Sequence, residues 1–247
     1  MPALATLDDH PDDPVPSGAE VGTLAAADGV ALRWARFAPL GRPRRGTVLL
    51  LQGRAEFLER WFETIRDLQI RGFAVVAFDW RGQGGSQRLA RHPRMGHVGD
   101  FRGYRRDLEA ILREIVPAAP EPLWILAHST GALVAADAAP LLLGRVRRMV
   151  MVAPFFGLGD FGVPEGFARA LARVLRGLGL GRSFVPGGTH SVAGMSSVTS
   201  TWSYCAMATA MRYGLCGWSC FQCTRRRFLP SSEKVSSLSF LPLLTTW

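Results

Sequence analysis

Ser129 has the local sequence of an enzymatic nucleophile. The apolar run LWILA at 123–127 leads directly into His128, Ser129, Thr130 and Gly131, and an alanine-rich helical segment follows. A sharp turn between a strand and a helix lifts a serine hydroxyl above the carboxyl edge of a sheet. The helix N-terminus then faces a developing oxyanion, with the backbone N–H of Thr130 as one donor. The alternative interpretation is an ordinary buried strand followed by a helix that Ser129 N-caps.

Two neighbours of Ser129 need their own interpretation. Ala127 stands where the G-x-S-x-G motif has its first glycine, and one methyl group is the smallest departure from that motif, so we expect the turn to form. We interpret His128 as a packed neighbour of the turn rather than the catalytic base, because adjacent residues point their side chains apart.

A second turn that can support catalysis follows the apolar run TVLLL at 47–51. Its sequence is QGRAE at 52–56. Gly53 lets the backbone turn so that the N–H of Arg54 can face a substrate carbonyl as the second oxyanion donor. The alternative is a simple strand-to-helix loop. We interpret the glycine-rich turn DWRGQGGS at 79–86 as a structural loop beside the site, since it lacks the lysine of a P-loop and the G-x-G-x-x-G spacing.

A serine nucleophile requires a histidine to take its proton and a carboxylate to orient that histidine. On a strand–serine–helix scaffold the chain order is serine, acid, histidine. Asp160 and His190 follow Ser129 in that order and are the candidate acid and base, whereas Glu233 comes after His190. We expect His92 and His97, which precede the serine, to lie in surface loops. Without a working base the scaffold would bind esters but turn them over slowly.

Short apolar runs alternate with longer helical segments along the chain. The predicted strands are 47–51, 74–78, 123–127 and 149–153, preceded by two strand-like runs that end at residue 36. The predicted helices are 57–71, 101–116 and 130–142. This alternation predicts an α/β fold with a mostly parallel sheet and helices on both faces.

The composition divides the chain into three parts. Residues 1–19 are rich in proline and aspartate and predict a disordered or loosely attached N-terminal lead. Residues 20–188 form the predicted catalytic core with the start of a cap. Residues 189–247 are an atypical tail: it holds all four cysteines, and no aspartate occurs after Asp160.

Two hypotheses explain this tail: a divergent C-terminal region, or a reading-frame error that replaced the native C-terminus. Only 240–244 resembles a buried strand there, and Pro242 interrupts it, so we predict a sheet that is incomplete at its C-terminal side. Cys216, Cys220 and Cys223 have the spacing of a metal-ligand set with Cys205 as a fourth thiolate, but chance spacing is the preferred interpretation. We expect no metal and no cofactor.

The formal net charge of +9 comes almost wholly from arginine, because Lys234 is the only lysine. We interpret the arginine excess as a codon bias; a basic face attracted to anionic lipid is the alternative. No arginine-rich run contains interleaved aromatic residues, so we expect no nucleic-acid partner. The N-terminus lacks a secretory signal and no apolar stretch is long enough to span a bilayer. We therefore expect a cytoplasmic protein, with peripheral contact at the inner face of the membrane.

In its order and spacing of motifs, the segment 48–186 resembles the lysophospholipase and monoacylglycerol-lipase-like branch of the α/β-hydrolases. The resemblance implies hydrolysis of a monoacyl lipid ester through an acyl-enzyme on Ser129, with 166–180 in a cap over the acyl-chain pocket. Plain core packing is the alternative for the apolar stripe of that segment. The motifs that carry the resemblance are QGRAEF at 52–57, DWRGQGGS at 79–86, GHV at 96–98, AHSTG at 127–131 and AP at 153–154.

Three functional hypotheses stay open from the sequence. The leading one is a serine ester hydrolase that acts on lysophospholipid or monoacylglycerol-like esters. The second is a non-catalytic, lipid-binding remnant that keeps the pocket but lacks a complete triad. The third is a peptidase or acyltransferase, because the turn around the serine does not encode the leaving group.

Overall fold

A computed structural model describes residues 5–90, 95–156, 165–179 and 220–221. Its strands are β1 Ala19–Ala25, β2 Ala31–Phe37, β3 Gly46–Leu51, β4 Phe73–Phe78, β5 Leu123–His128, β6 Val146–Val152 and β7 Cys220–Phe221. They form one sheet in the order β1-β2-β4-β3-β5-β6-β7. The first two strands pair antiparallel, β2 pairs antiparallel with β4, and the remaining pairs are parallel. The predicted mostly parallel α/β sheet is therefore confirmed.

Helices follow the strands much as the apolar periodicity predicts. The predicted helix 130–142 is divided in two, because Pro140 lies in the first turn of the second piece and cannot donate a backbone hydrogen bond to continue the first. The helices are α1 Phe62–Ile70, α2 Arg102–Glu114, α3 Thr130–Asp137, α4 Ala139–Leu142 and α5 Glu165–Gly177, with 3-10 turns at Leu58–Trp61 and Val116–Ala118.

Alternate residues of the central strands bury on opposite faces of the sheet. On one face Val48 and Leu50 of β3 pack with Phe62 and Ile65 of α1. On the other face β3 packs with α2 and α3, whose core-facing apolar side chains are buried. A strand that is covered on both faces reads as a continuous apolar run, which is why 47–51 lacks the polar alternation of a half-exposed strand. Helices on both faces are thus confirmed.

The N-terminal segment differs from the prediction of a disordered or loosely attached lead. Three long side chains of the core donate to its backbone carbonyls: Arg33 to Thr6 at 2.8 Å, Arg66 to Pro14 at 2.6 Å and Gln69 to Ser17 at 2.8 Å. Leu7 and Val15 pack against the cluster that contains α1. Composition did not reveal this attachment, because the acceptors are main-chain groups and the donors lie in distant parts of the sequence.

The C-terminal predictions fall mostly outside the described residues. This holds for the boundary at 188, the strand-like run 240–244, and Cys205, Cys216 and Cys223; only the two-residue strand β7 is described there. Within the predicted cap segment 166–180, the structure describes α5. None of the helices in the described ranges combines the length and the apolarity needed to cross a bilayer.

Candidate active site

Ser129 occupies the sharp turn between β5 and α3, and its backbone is strained. Its φ of 50° and ψ of −115° lie in a region that residues other than glycine rarely adopt. Such strain concentrates at functional sites and persists only where the surroundings enforce it. Here the Ser129 N–H donates to the Val152 carbonyl at 3.0 Å, and the Ser129 carbonyl accepts from the Phe155 N–H at 3.2 Å. The serine stands at the N-cap of α3, but its side chain makes no capping hydrogen bond.

Gly131 allows α3 to approach the end of β3. A Cβ at this position would lie 2.2 Å from the carbonyl oxygen of Leu51, a separation that no side chain tolerates. Ala127, at the other side of the turn, is fully buried, so its extra methyl group is accommodated in the core. The spacing of small residues in the sequence therefore reflects a close approach of backbone to backbone.

The loop 52–56, here called the Gly53 loop, lies directly against Ser129. A Cβ on Gly53 would be 3.1 Å from the Ser129 Cβ. The Gly53 N–H donates to Glu56 at 2.6 Å, and the Ala55 N–H donates to Gln83 at 2.7 Å. Among the described residues, no acceptor faces the N–H of Arg54 that lies between them. Arg54 thus offers the one unused amide of three consecutive residues beside the serine.

Thr130 supplies the other candidate donor. It is the first residue of α3, so its N–H has no partner within the helix. Within the described ranges, no acceptor is assigned to this amide either. The two N–H groups named from the sequence are therefore both available next to Ser129, which is the chemical requirement for an oxyanion hole.

The glycine-rich turn 79–86 contacts the Gly53 loop and lies beside the site, as predicted. Gln83 is buried; its side-chain oxygen accepts from the Ala55 N–H, and its amide nitrogen donates to the Gly53 carbonyl at 3.3 Å. Asp79 is fully buried and accepts from the side chains of Gln52 and Arg33 at 3.0 and 2.7 Å. The turn is a structural element beside the site.

The buried Glu56 and the partly buried His128 form a pair that the sequence did not reveal. The His128 Nδ1 lies 3.0 Å from the Glu56 Oε1, and a carboxylate only accepts, so this nitrogen carries the proton. Trp61 packs edge-on against the imidazole at a ring-centre distance of 5.7 Å. Burial alone would raise the pKa of Glu56, but His128 and, to a smaller extent, the Gly53 N–H outweigh it and hold the pKa below its ordinary value of 4.5.

The structure describes some of the remaining predicted site residues and not others. Asp160, His190 and His92 lie outside the described residues. His97 is half-buried, and its backbone lies against the turn at Gly82. His128 is the packed neighbour that the sequence predicts. In the described part of the chain, no group of three or more His, Cys, Asp or Glu side chains could hold a metal ion.

Comparison with known proteins agrees with this geometry. The model of the Hydrolase_4 family, described as serine aminopeptidase, S33, matches residues 42–197, more than half of the chain. The chain belongs to this family. Its α/β-hydrolase fold is shared with a soluble variant of monoglyceride lipase from Saccharomyces cerevisiae, at a TM-score of 0.51 and 21% identity over 64% of this chain and 52% of that one.

Curated relatives of this Hydrolase_4 member carry the name lysophospholipase L2. The Escherichia coli K12 protein is 34% identical over 136 residues, which cover 55% of this chain and 39% of the relative. The probable lysophospholipase L2 of Haemophilus influenzae is 35% identical over 115 residues, which cover 46% of this chain and 36% of the relative. The matched stretch thus spans less than two fifths of either relative.

Proposed function

We propose that this chain is a serine ester hydrolase that forms an acyl-enzyme on Ser129. The observation that carries the proposal is the Arg54 N–H, which has no acceptor among the described residues although the amides of Gly53 and Ala55 on either side of it are bonded, in a loop set against a strained serine. Backbone strain concentrates at functional sites, and an amide without a partner beside a strained serine is the donor that an oxyanion hole requires.

The proposed reaction has two steps. The Ser129 Oγ attacks the ester carbonyl carbon while a base takes its proton, and the negative charge that develops on the carbonyl oxygen is held by the N–H groups of Arg54 and Thr130. The C–O bond then breaks, and the alcohol leaves with the proton from the base. Water attacks the acyl-enzyme in the same way and releases the carboxylic acid. His190 as base and Asp160 as its orienting acid remain our proposal for the rest of the triad.

Lysophospholipids and monoacylglycerol-like esters are the proposed substrates. Two relatives of this chain are named lysophospholipases, and a structural neighbour is named a monoglyceride lipase. Helix α5 adds an apolar surface suited to an acyl chain: Phe167, Leu171 and Val174 are 63, 47 and 58% exposed. Exposed apolar side chains that adjoin one another on a helix are a common feature of binding surfaces.

The same helix supports a peripheral contact of a cytoplasmic protein with the membrane. After Glu165 its charged residues are three arginines, Arg169, Arg173 and Arg176, which alternate with the apolar stripe. A basic amphipathic helix binds anionic lipid surfaces through both features. Leu171→Glu should reduce co-sedimentation with phosphatidylglycerol vesicles, whereas Ile70→Glu, at an apolar position 65% exposed on α1, should not.

Labelling with a fluorophosphonate tests the nucleophile whatever the substrate is. We expect the purified chain to be labelled, Ser129→Ala to lose labelling and roughly a thousandfold or more of its esterase activity, and the exposed Ser17→Ala to keep both. His190→Ala and Asp160→Ala should lower the labelling rate. Hydrolysis of lysophosphatidylcholine and monoacylglycerol, with an arylamide and a thioester beside them, then distinguishes esterase from peptidase and acyltransferase. A folded chain that binds lysolipid but is not labelled would establish the non-catalytic alternative instead.

A further inference from the structure

The Glu56 carboxylate joins the two backbone segments that flank Ser129. It accepts from the Gly53 N–H at 2.6 Å and from the His128 Nδ1 at 3.0 Å. Gly53 directly precedes Arg54 on the Gly53 loop after β3, and His128 is the last residue of β5, directly before Ser129. One buried side chain therefore fixes the positions of both strand ends relative to each other.

The pair is enclosed and well held. The side chains of Glu56 and His128 are 10 and 13% exposed, and Trp61 packs against the imidazole. Arg60 contributes a weaker ion pair, with its Nε 3.8 Å from the Glu56 Oε1. Charge-assisted hydrogen bonds in such an enclosed place are stronger than bonds between neutral groups and have little competition from water.

Geometry dictates what the carboxylate does to the loop. The Gly53 N–H is bonded to Glu56 and the Ala55 N–H to Gln83, so among the described residues the Arg54 N–H between them has no acceptor, in a loop that lies against Ser129. Ala55 has a positive φ of 61°, so this local turn is strained and needs the side-chain bonds to persist. Loss of the carboxylate would release the Gly53 amide and let the Arg54 amide rotate away.

We propose that Glu56 is a positioning residue that, through Gly53 and His128, sets the distance and direction between the Arg54 N–H and Ser129. The proposal rests on the proposed function, since the Arg54 amide must serve as an oxyanion donor. A misplaced donor weakens the bond to the transition state far more than binding of the uncharged ester. Substitution of Glu56 therefore lowers kcat and leaves KM nearly unchanged.

Steady-state kinetics with a soluble short-chain ester test this directly. Glu56→Gln keeps one acceptor oxygen but presents a donor in place of the other, so one of the two short bonds is lost; we expect kcat to fall about 10- to 100-fold with KM changed less than about threefold. The matched control is Glu63→Gln, an exposed acid close by in the first turn of α1, which should equal the wild type. A rise in KM at constant kcat, or no change, would overturn the proposal.

His128 offers a rescue experiment that a merely structural role would fail. The amide nitrogen of asparagine can occupy the place of the histidine Nδ1, so His128→Asn should keep most of kcat, while His128→Ala should lose as much as Glu56→Gln. The double variant Glu56→Gln/His128→Ala should be no worse than either single one. If Glu56→Gln does not fold, the comparison of His128→Asn with His128→Ala still tests the proposal. Equal loss in the asparagine and alanine variants would contradict the proposal.

Amide hydrogen exchange separates this proposal from the proposed function. In the wild type the Gly53 N–H should exchange slowly, and Glu56→Gln should speed it at least about tenfold while amides of β4 keep their rates. If the wild type is neither labelled nor active but shows this change, the hydrolase proposal fails and the positioning role of Glu56 stands for the loop alone. Unchanged exchange at Gly53 in a folded variant would sink the positioning role even if the enzyme is active.

Discussion

Helices α2 and α5 each contain 13 residues, and each has an apolar stripe at helical spacing, but they differ in what covers that stripe. In α2, Leu108 and Ile111 are fully buried between the helix and the sheet. In α5, Phe167 and Val174 are 63 and 58% exposed. Apolar spacing thus specifies a helix and its apolar side, while the partner of that side is decided by the rest of the chain. The buried stripe of α2 supports the fold, whereas the exposed stripe of α5 is the surface that we propose for a ligand.

Removal of one leucine from each helix gives the largest contrast. Leu108→Ala should lower the free energy of unfolding by about 2–5 kcal/mol, because it leaves a cavity in the core. Leu171→Ala, at a position 47% exposed, should change it by less than about 0.5 kcal/mol. Urea unfolding followed by circular dichroism measures both. A large loss from Leu171→Ala would mean that α5 packs in solution as α2 does.

Alanine substitutions of two glycines test the same contrast between a covered and an exposed helix surface. The two expected changes in stability have opposite signs. Gly131→Ala should destabilise by about 1–3 kcal/mol and reduce fluorophosphonate labelling, since its Cβ would press on the Leu51 carbonyl. Gly166→Ala in α5 meets nothing within 4 Å and should stabilise by up to about 1 kcal/mol through its higher helix propensity. Thermal unfolding of the two variants gives the sign in each case. Two losses of similar size would argue against an open surface around α5.

Acid unfolding tests how much the enclosed Glu56 carboxylate contributes to the stability of the fold. The fold holds the pKa of Glu56 below its ordinary 4.5, so its contribution is fully present above that value and is lost as the pH falls through the lower, folded-state pKa. We expect Glu56→Gln to remove about 1–2 kcal/mol at pH 7 and to flatten the acid side of the stability curve. Glu109→Gln, which breaks an exposed pair with Arg105 on α2, should change stability by less than about 0.5 kcal/mol. If the free energy of unfolding falls equally steeply with decreasing pH in Glu56→Gln and in the wild type, this expectation is wrong.

Local sequence was enough to predict the parts of the site that local geometry builds. The strand-turn-helix at 123–131 and the turn at 52–56 follow from apolar runs beside small residues, and the alternation of runs predicted the sheet. The Glu56–His128 pair was missed because its members are 72 positions apart and only the parallel pairing of β3 and β5 brings them together. The division of the helix at Pro140 had a signal in the sequence, and reading that proline as a break would have found it.

Attachment of the N-terminal segment was missed for a different physical reason. Hydrophobicity and charge patterns report on side chains, whereas Arg33, Arg66 and Gln69 bind main-chain carbonyls of 6–17. Every residue has such a carbonyl, so no composition distinguishes a segment whose carbonyls find donors from one whose carbonyls face water. Leu7 and Val15 are apolar clues to the contact, but two isolated residues do not make a pattern.

The backbone hydrogen bonds of Ser129 with Val152 and Phe155 connect the turn at Ser129 to the chain at the end of β6. Main-chain groups form this junction, so it does not depend on which side chains come next. In a chimera that joins the C-terminal stretch of a longer relative, such as the Escherichia coli lysophospholipase L2, after Phe156, we expect the backbone around Ser129 to keep these bonds. The downstream half of the chain can then be exchanged without rebuilding the turn that carries the proposed nucleophile.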